Sequence, residues 1–152
     1  MQKEVVRALE RERQLAPRGR LSEESAGLVG VLFHASLNGL FTHKKHAFEA
    51  RLIGARAGVP DLAYPVPRGS FCGLYVELKT PRGRVSAAQQ RFMEMAALAG
   101  HCVVVSRSVE GTVDLVCWYE NLESRGCSVV GRLATRAEIE TRWSPEVQVV
   151  WP

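Results

Sequence analysis

The sequence predicts an α/β protein in which a mixed β-sheet is flanked by helices. Runs with helical periodicity alternate with short apolar, β-branched runs, and turn residues separate them. A chain of 152 residues with 46% hydrophobic content can bury about two-thirds of its unfolded surface, which is enough for one core. We therefore expect a single domain with the element order α-β-α-β-β-α-β-α.

The amino-terminal part is expected to contain two helices with a buried strand between them. A helix covers about residues 2–14, and residues 28–37 form an apolar run that predicts a strand ending at the Asn38-Gly39 turn. A short helix is expected over residues 46–57, because Gly58 follows it as a stop signal.

The central part predicts a β-hairpin. Its strands cover residues 61–66 and 71–79, and Pro67-Arg68-Gly69-Ser70 between them is turn chemistry. Because side chains alternate between the two faces of a strand, Glu77 and Lys79 point to the same side. One face of the hairpin is therefore charged.

After the hairpin, the sequence predicts a helix, a strand and a second helix. Ser86 and Gln89 fit a capping box at the start of the first of these helices, which covers residues 89–98. Residues 101–106 contain a β-branched run and predict a strand, and residues 112–122 predict the second helix.

Residues 123–152 are expected to form a carboxy-terminal extension. Thr135 and Glu138 fit another capping box, and residues 147–151 alternate as a terminal strand would. The extension either belongs to the same domain as residues 1–122 or forms part of a dimer interface.

The composition excludes several classes of protein. The cysteines are widely spaced, so no zinc site is predicted, and Cys102 and Cys117 fit small core residues. The amino terminus does not resemble a signal peptide, and no apolar run approaches about 20 residues. We expect no membrane role, no small-molecule cofactor and a cytoplasmic location.

Two carboxylates and an amine carry the predicted chemistry. If Asp61 lies beside the charged face of the hairpin, it converges with Glu77 and a backbone carbonyl, an oxygen set that suits Mg²⁺ or Mn²⁺. The Lys79 ammonium would orient a water and offset charge that builds on a phosphodiester in the transition state. Alternatively, Glu77 and Lys79 form a solvated surface pair. Gln89 either only caps its helix with Ser86 or also hydrogen-bonds water or phosphate near the metal.

Three spaced motifs carry a resemblance to a known family. They are Gly58-Val59-Pro60-Asp61-Leu62, Gly73-Leu74-Tyr75-Val76-Glu77-Leu78-Lys79-Thr80-Pro81-x-Gly83-x-Val85-Ser86-x-x-Gln89 and Ala99-Gly100-His101-x-Val103. Over about residues 32–122 the chain resembles the VRR-NUC domain, the virus-type replication-repair branch of the PD-(D/E)xK nucleases. The resemblance implies a restriction-endonuclease-like PD-(D/E)xK core, with residues 1–122 as the nuclease domain.

The resemblance also implies a role for each site residue. Asp61 and Glu77 would be metal ligands, and the backbone carbonyl of Leu78 would be a further ligand. Lys79 would be the catalytic lysine, and Gln89 would be the glutamine of the helix that follows it.

The family usually adds a metal-site glutamate on its first helix, with a glutamine close behind, and that order is absent here. Glu4 is the best substitute by position, followed by Glu10 and then Glu24. For each of the three, a solvated helix charge is an equally good interpretation.

Two basic clusters are candidates for contacts with a DNA backbone. Lys44 and Lys45 follow the Asn38-Gly39 turn, and Arg82 and Arg84 lie just beyond the catalytic strand. The formal net charge of +4 is compatible with a phosphate partner. For the lysines, a solvated loop is the alternative. No motif for reading base sequence is visible.

The resemblance implies a Mg²⁺- or Mn²⁺-dependent DNA endonuclease that hydrolyses phosphodiester bonds. A stand-alone domain of this kind resembles the dimeric nucleases that resolve four-way (Holliday) junctions. We therefore expect branched DNA as the substrate and a homodimer, in a phage or prophage setting that includes DNA repair. The alternatives are a duplex or flap nuclease of the same fold and a non-catalytic nucleic-acid-binding module.

Overall fold

The computed structural model describes residues 1–36, 54–122 and 147–150. These residues form helices and strands in the following order: α1 (Gln2–Gln14), α2 (Glu23–Leu32), β1 (His34–Ala35), β2 (Leu62–Tyr64), β3 (Leu74–Leu78), α3 (Ala87–Leu98), β4 (Cys102–Ser106), α4 (Val109–Glu120) and β5 (Val147–Val150). No helix in this part of the chain is long and apolar enough to span a membrane.

The five strands form one mixed sheet in the order β1-β2-β3-β4-β5. Strands β3 and β4 are parallel, and the other neighbouring pairs are antiparallel. The predicted class, a mixed sheet flanked by helices, is therefore confirmed. The predicted terminal strand is present as β5, which adds to β4 at one edge of the sheet.

The two faces of the sheet are covered by different helices. Helices α1, α2 and α4 pack on the face to which Leu74, Val76 and Leu78 of β3 belong. Helix α3 packs on the other face, against Val103 and Val105 of β4. Since side chains alternate along a strand, Glu77 lies on the α3 face.

The prediction of a strand over residues 28–37 is wrong for its first half, because residues up to Leu32 belong to α2. The Ser22 side chain caps this helix by accepting a hydrogen bond from the Ser25 backbone N–H (3.1 Å). Val29 is buried, whereas Val31 is 81% exposed, so only one face of the segment is packed although both faces carry apolar side chains. Strand structure begins only at His34.

Two other predictions differ at their boundaries. The hairpin is present, but its strands are shorter than predicted, and Gly69 adopts a positive φ of 57° in the turn. Helix α4 begins before residue 112, because the Ser108 side chain caps it by accepting from the Gly111 backbone N–H (3.1 Å).

Several predicted features lie outside the described residues. These are the Asn38-Gly39 turn, most of the predicted helix over residues 46–57, and the capping box of Thr135 and Glu138. Residues 54–57, which are described, are not helical.

A buried polar pair ties the hairpin to α4. Arg68 in the turn donates to Glu120 at the end of α4 (2.9 Å), and the Glu120 side chain is only 1% exposed. Nearby, the Tyr119 hydroxyl donates to the Val66 carbonyl (2.7 Å). The turn that connects β2 and β3 is thus fixed to the helical layer on the face opposite α3.

Candidate active site

Asp61 is held at the start of β2 by contacts on both sides. Its Oδ2 accepts a hydrogen bond from the Leu78 backbone N–H (2.9 Å), and its carbonyl accepts from the Ser36 backbone N–H (2.8 Å). The strand register pairs Leu62 with Val76, and extending it by one residue places Asp61 opposite Glu77. The pairing of β2 with β3 therefore brings together the two carboxylates that the sequence predicts.

Glu77 is almost completely buried, with 1% of its surface exposed. Its Oε1 accepts hydrogen bonds from Lys79 Nζ (2.8 Å) and from Gln89 Nε2 (2.5 Å). Its Oε2 is also buried and has no hydrogen-bond partner within the described part of the chain. Burial raises the pKa of the Glu77 carboxyl, Lys79 opposes this rise, and the negative charge of Asp61 adds to it.

Lys79 connects the strand to the helix that covers it. Besides Glu77, its Nζ donates to Gln89 Oε1 at 3.0 Å, and its side chain is only 16% exposed. The alternative of a solvated surface pair is therefore wrong for this structure. The ammonium is held in one place by two oxygens, Glu77 Oε1 and Gln89 Oε1.

Gln89 both caps α3 and contacts the site. Its Oε1 accepts from the Ser86 backbone N–H (2.9 Å), and the Ser86 hydroxyl accepts from the Gln89 backbone N–H (3.3 Å), so the predicted capping box is confirmed. The same side chain donates from Nε2 to Glu77. Because Oε1 faces two donors, the amide is fixed with its NH₂ group toward the carboxylate.

Gly58 seats the loop that carries Asp61 directly on the start of α3. Its φ is +90°, a conformation that favours glycine. A β-carbon at this position would lie 2.5 Å from the Ala88 carbonyl carbon and 2.9 Å from the Gln89 nitrogen, and even closer to the Ala88 carbonyl oxygen. The sequence indicated Gly58 only as a helix stop. The contact between the Gly58 and Ala88 backbones was not predicted. A glycine two residues before Pro60-Asp61 could have indicated it, because glycine allows a close approach of two backbones.

The donor set fits a hard divalent cation. Two carboxylates lie together, and one buried carboxylate oxygen of Glu77 has no protein hydrogen bond among the described residues. However, no group of three or more His, Cys, Asp or Glu side chains suited to a metal occurs in the part of the chain that the structure describes. A cation here would therefore also need backbone carbonyls and waters as ligands.

The candidate glutamates near the amino terminus are not grouped with Asp61 and Glu77. Glu4 is exposed and forms an ion pair with the amino group of Met1 (2.9 Å). Glu10 pairs with Arg13 on the same helix, and Glu24 lies exposed in the first turn of α2. The role of Glu4 as a metal ligand stays a prediction.

The predicted DNA contacts are described only in part. Arg82 and Arg84 are exposed in the loop between β3 and α3, where the Gly83 N–H donates to the Thr80 carbonyl (2.9 Å). Lys44 and Lys45 lie outside the described residues.

Comparison with known proteins gives an independent assignment of the family. The sequence model of the VRR-NUC domain matches residues 6–110, which is more than half of the chain. A solved structure described as a VRR_NUC domain protein is 24% identical, with 87% of this chain and 96% of that chain covered at a TM-score of 0.64. At this identity the structural likeness shows the fold, and it is consistent with the expected PD-(D/E)xK type. No curated protein matches.

The range matched by the family model, residues 6–110, starts earlier than the resemblance seen in the sequence and includes most of α1. The chain therefore belongs to the VRR-NUC family of nucleases.

Proposed function

We propose that this protein is a Mg²⁺- or Mn²⁺-dependent endonuclease that hydrolyses phosphodiester bonds in DNA. The observation that carries the proposal is the state of Glu77. One oxygen of its buried carboxylate is held by Lys79 and Gln89, and the other has no hydrogen-bond partner among the described residues. Glu120 also has a buried oxygen without a described partner, but Glu77 differs in lying opposite a second carboxylate, Asp61, and a cation between the two would compensate both charges.

Asp61, Glu77 and the backbone carbonyl of Leu78 are the groups that would hold the metal. When bound, the ion supplies Lewis-acid chemistry, by polarising a phosphoryl oxygen and lowering the pKa of water. Glu4 remains the candidate for a further ligand. A Glu4→Gln variant with wild-type metal affinity would remove it from the set.

The protein's own groups contribute orientation and charge. Lys79 is fixed between Glu77 and Gln89, so its ammonium can hold a water or a phosphate oxygen without reorganising during the reaction. Its positive charge offsets the negative charge that develops on the phosphoryl group. Asp61 anchors the Leu78 N–H through one oxygen, which keeps the two carboxylates in register.

The proposal is tested with labelled DNA, in Mg²⁺ or Mn²⁺ and in EDTA. Wild type should cut DNA only when metal is present, and Asp61→Asn, Glu77→Gln and Lys79→Ala should each lower the rate by at least about 10²-fold. Glu94→Gln is the matched control, because Glu94 lies exposed on α3 and accepts only from Gln90 in the described contacts. Cutting that persists in Glu77→Gln would contradict the proposed site.

The preferred DNA structure and the oligomeric state form the finer part of the proposal. We propose four-way junctions as the substrate and a homodimer as the active form, and both rest on the resemblance to junction-resolving nucleases. Two symmetric cuts need two symmetric sites, so the two expectations depend on each other. A panel of junction, flap, duplex and single-stranded DNA, together with the mass of the protein in solution, tests them. If junctions are cut no faster than duplex, the proposed preference for junctions is wrong, and a nuclease without that preference remains.

One observation favours a second candidate, a non-catalytic nucleic-acid-binding module. Within the described residues Glu4 is paired with Met1 rather than with the other two carboxylates, so the acidic set is smaller than the family usually has. The same DNA panel separates the candidates. If the protein binds DNA but cuts it in neither Mg²⁺ nor Mn²⁺, the binding module is the correct candidate and the endonuclease is not.

A further inference from the structure

One stretch beside the candidate site carries basic residues without any acidic one. Residues 79–93 contain four basic residues, Lys79, Arg82, Arg84 and Arg91, and no acidic one. Their charge equals the formal net charge of +4 for the whole protein, so the rest of the chain sums to zero. This stretch is therefore a block of positive charge that contains no carboxylate, and it lies next to Glu77 and Gln89.

A second segment brings another arginine to the same place. Gly58 sits against the Ala88 carbonyl at the start of α3, and Arg56 precedes Gly58 by two residues. Arg91 lies three residues after Ala88, so it is a neighbour of Ala88 on the helix surface. The loop that contains Gly58 and the first turns of α3 thus both carry arginines close to the contact between Gly58 and Ala88.

We define the α3 arginine surface as Arg56, Arg82, Arg84 and Arg91. All four side chains are exposed. None forms a hydrogen bond or an ion pair with another residue in the ranges 1–36, 54–122 and 147–150.

Several arginines elsewhere in the described structure do have carboxylate partners. Arg13 pairs with Glu10, Arg20 pairs with Glu12 and Asp114, and Arg68 pairs with Glu120. Their charges are partly neutralised within the protein. No carboxylate among the described residues neutralises the charges of the α3 arginine surface, which we take to be open to a ligand.

We propose that the α3 arginine surface binds the backbone phosphates of DNA on the α3 side of the active site. Guanidinium groups pair well with phosphate oxygens and need no particular base, so the contact would be independent of sequence. This inference rests on the proposed function, because it takes DNA as the substrate. It adds Arg56 and Arg91 to the DNA contacts that the sequence predicts.

The experiment measures DNA binding as a function of salt. Fluorescence anisotropy of a labelled duplex gives the association constant at several NaCl concentrations in EDTA, where no cutting occurs. Each phosphate contact contributes about 0.9 to the slope of log K against log salt concentration. The double variant Arg56→Ala/Arg91→Ala should therefore have a slope shallower by about 2.

Arg7→Ala/Arg11→Ala is the matched control, because it removes the same charge from exposed positions of α1, on the other face of the sheet. Its slope should equal that of wild type. Arg56→Lys/Arg91→Lys restores the charge and should recover most of the slope. Both alanine variants should melt as wild type does, since all four positions are exposed.

Three outcomes would overturn the inference. They are an unchanged slope in Arg56→Ala/Arg91→Ala, an equal loss in the α1 control, and no recovery in the lysine variant. Cutting by wild type in Mg²⁺ is measured separately. If wild type cuts DNA but the slope of Arg56→Ala/Arg91→Ala is unchanged, only the proposed role of the α3 arginine surface is wrong. If that slope is shallower but wild type does not cut, only the proposed nuclease activity is wrong.

Discussion

The contact between Gly58 and α3 gives the sharpest test of how the fold builds this site. Gly58→Ala would place a methyl group within 3.0 Å of backbone atoms of Ala88 and Gln89, at a residue with φ of +90°. Backbone atoms at a helix start cannot rotate away as the end of a side chain can. The loop and the helix must therefore move apart.

Two terms set the expected loss of stability. A non-glycine residue at positive φ costs about 1–2 kcal/mol, and overpacking in a tight place costs about 1–3 kcal/mol. The free energy of unfolding should then fall by about 2–5 kcal/mol. Small domains are stable by about 5–15 kcal/mol, so we expect a weakened protein that still folds.

Gly54→Ala separates the two terms. Gly54 has nearly the same φ, +94°, but no described atom lies within 4 Å of its would-be β-carbon. It shares the backbone strain and the change in the unfolded chain with Gly58→Ala, but not the clash. The difference between the two variants should therefore be the overpacking term alone, about 1–3 kcal/mol.

Urea unfolding at equilibrium measures both variants, and similar m-values would show that the comparison is valid. Cleavage should fall by about 10–100-fold in Gly58→Ala, because a small shift of the loop misplaces Asp61 relative to Glu77. Gly54→Ala should keep most of the activity. Equal stability losses in the two variants would refute the reasoning, since the close approach to α3 would then have no energetic consequence.

Three further substitutions test contacts at and behind the site. Burial raises the pKa of Glu77, so the folded protein holds this proton more tightly than the unfolded chain does. The metal-free protein should therefore lose stability as the pH rises through the raised pKa. Mn²⁺ affinity should increase over the same range, because the carboxylate that binds the metal must lose its proton. Both trends should vanish in Glu77→Gln when urea unfolding and calorimetry are repeated across pH. Gln89→Glu keeps the oxygen that caps α3 but replaces the NH₂ group that faces Glu77, so it should cost about 1.5–3 kcal/mol and slow cleavage. Gln90→Glu makes the same charge change at an exposed neighbour that donates to Glu94, where the lost contact and the like charge should cost only about 0.2–0.5 kcal/mol, and a loss as large as that of Gln89→Glu would contradict the assigned contact. Arg68→Ala should cost about 3–5 kcal/mol, because it leaves the Glu120 carboxylate buried without its partner, and adding Glu120→Gln should recover part of the loss.

The elements with strong local signals were predicted well from the sequence. Strand β4 is a β-branched run, and α3 begins at a capping box, so both were placed nearly as observed. The run over residues 28–37 was not, because a short apolar segment fits a buried strand or a buried helix equally well. The decisive signal was Ser22 followed by two glutamates, which is a helix start rather than a strand start.

The candidate site was predictable only as far as local geometry reaches. Alternation along β3 places Glu77 and Lys79 on one face whatever the rest of the fold does. The burial of Glu77 depends on α3 covering that face, and the contact of Asp61 with the Leu78 N–H depends on the strand register. Neither follows from a single segment, because both arise from pairing and packing between segments.

Gln89 shows why two interpretations of one residue need not exclude each other. From the sequence, capping α3 and lying beside Glu77 looked like alternatives, yet the amide accepts from the Ser86 N–H and also donates to Glu77, because its two ends are chemically different. The oxygen is held by the Ser86 N–H, and this contact fixes which way the NH₂ group points. The first turn of α3 therefore orients the donor that reaches Glu77. A change that loosens this helix start should therefore disturb the candidate site even where it touches neither Glu77 nor Lys79.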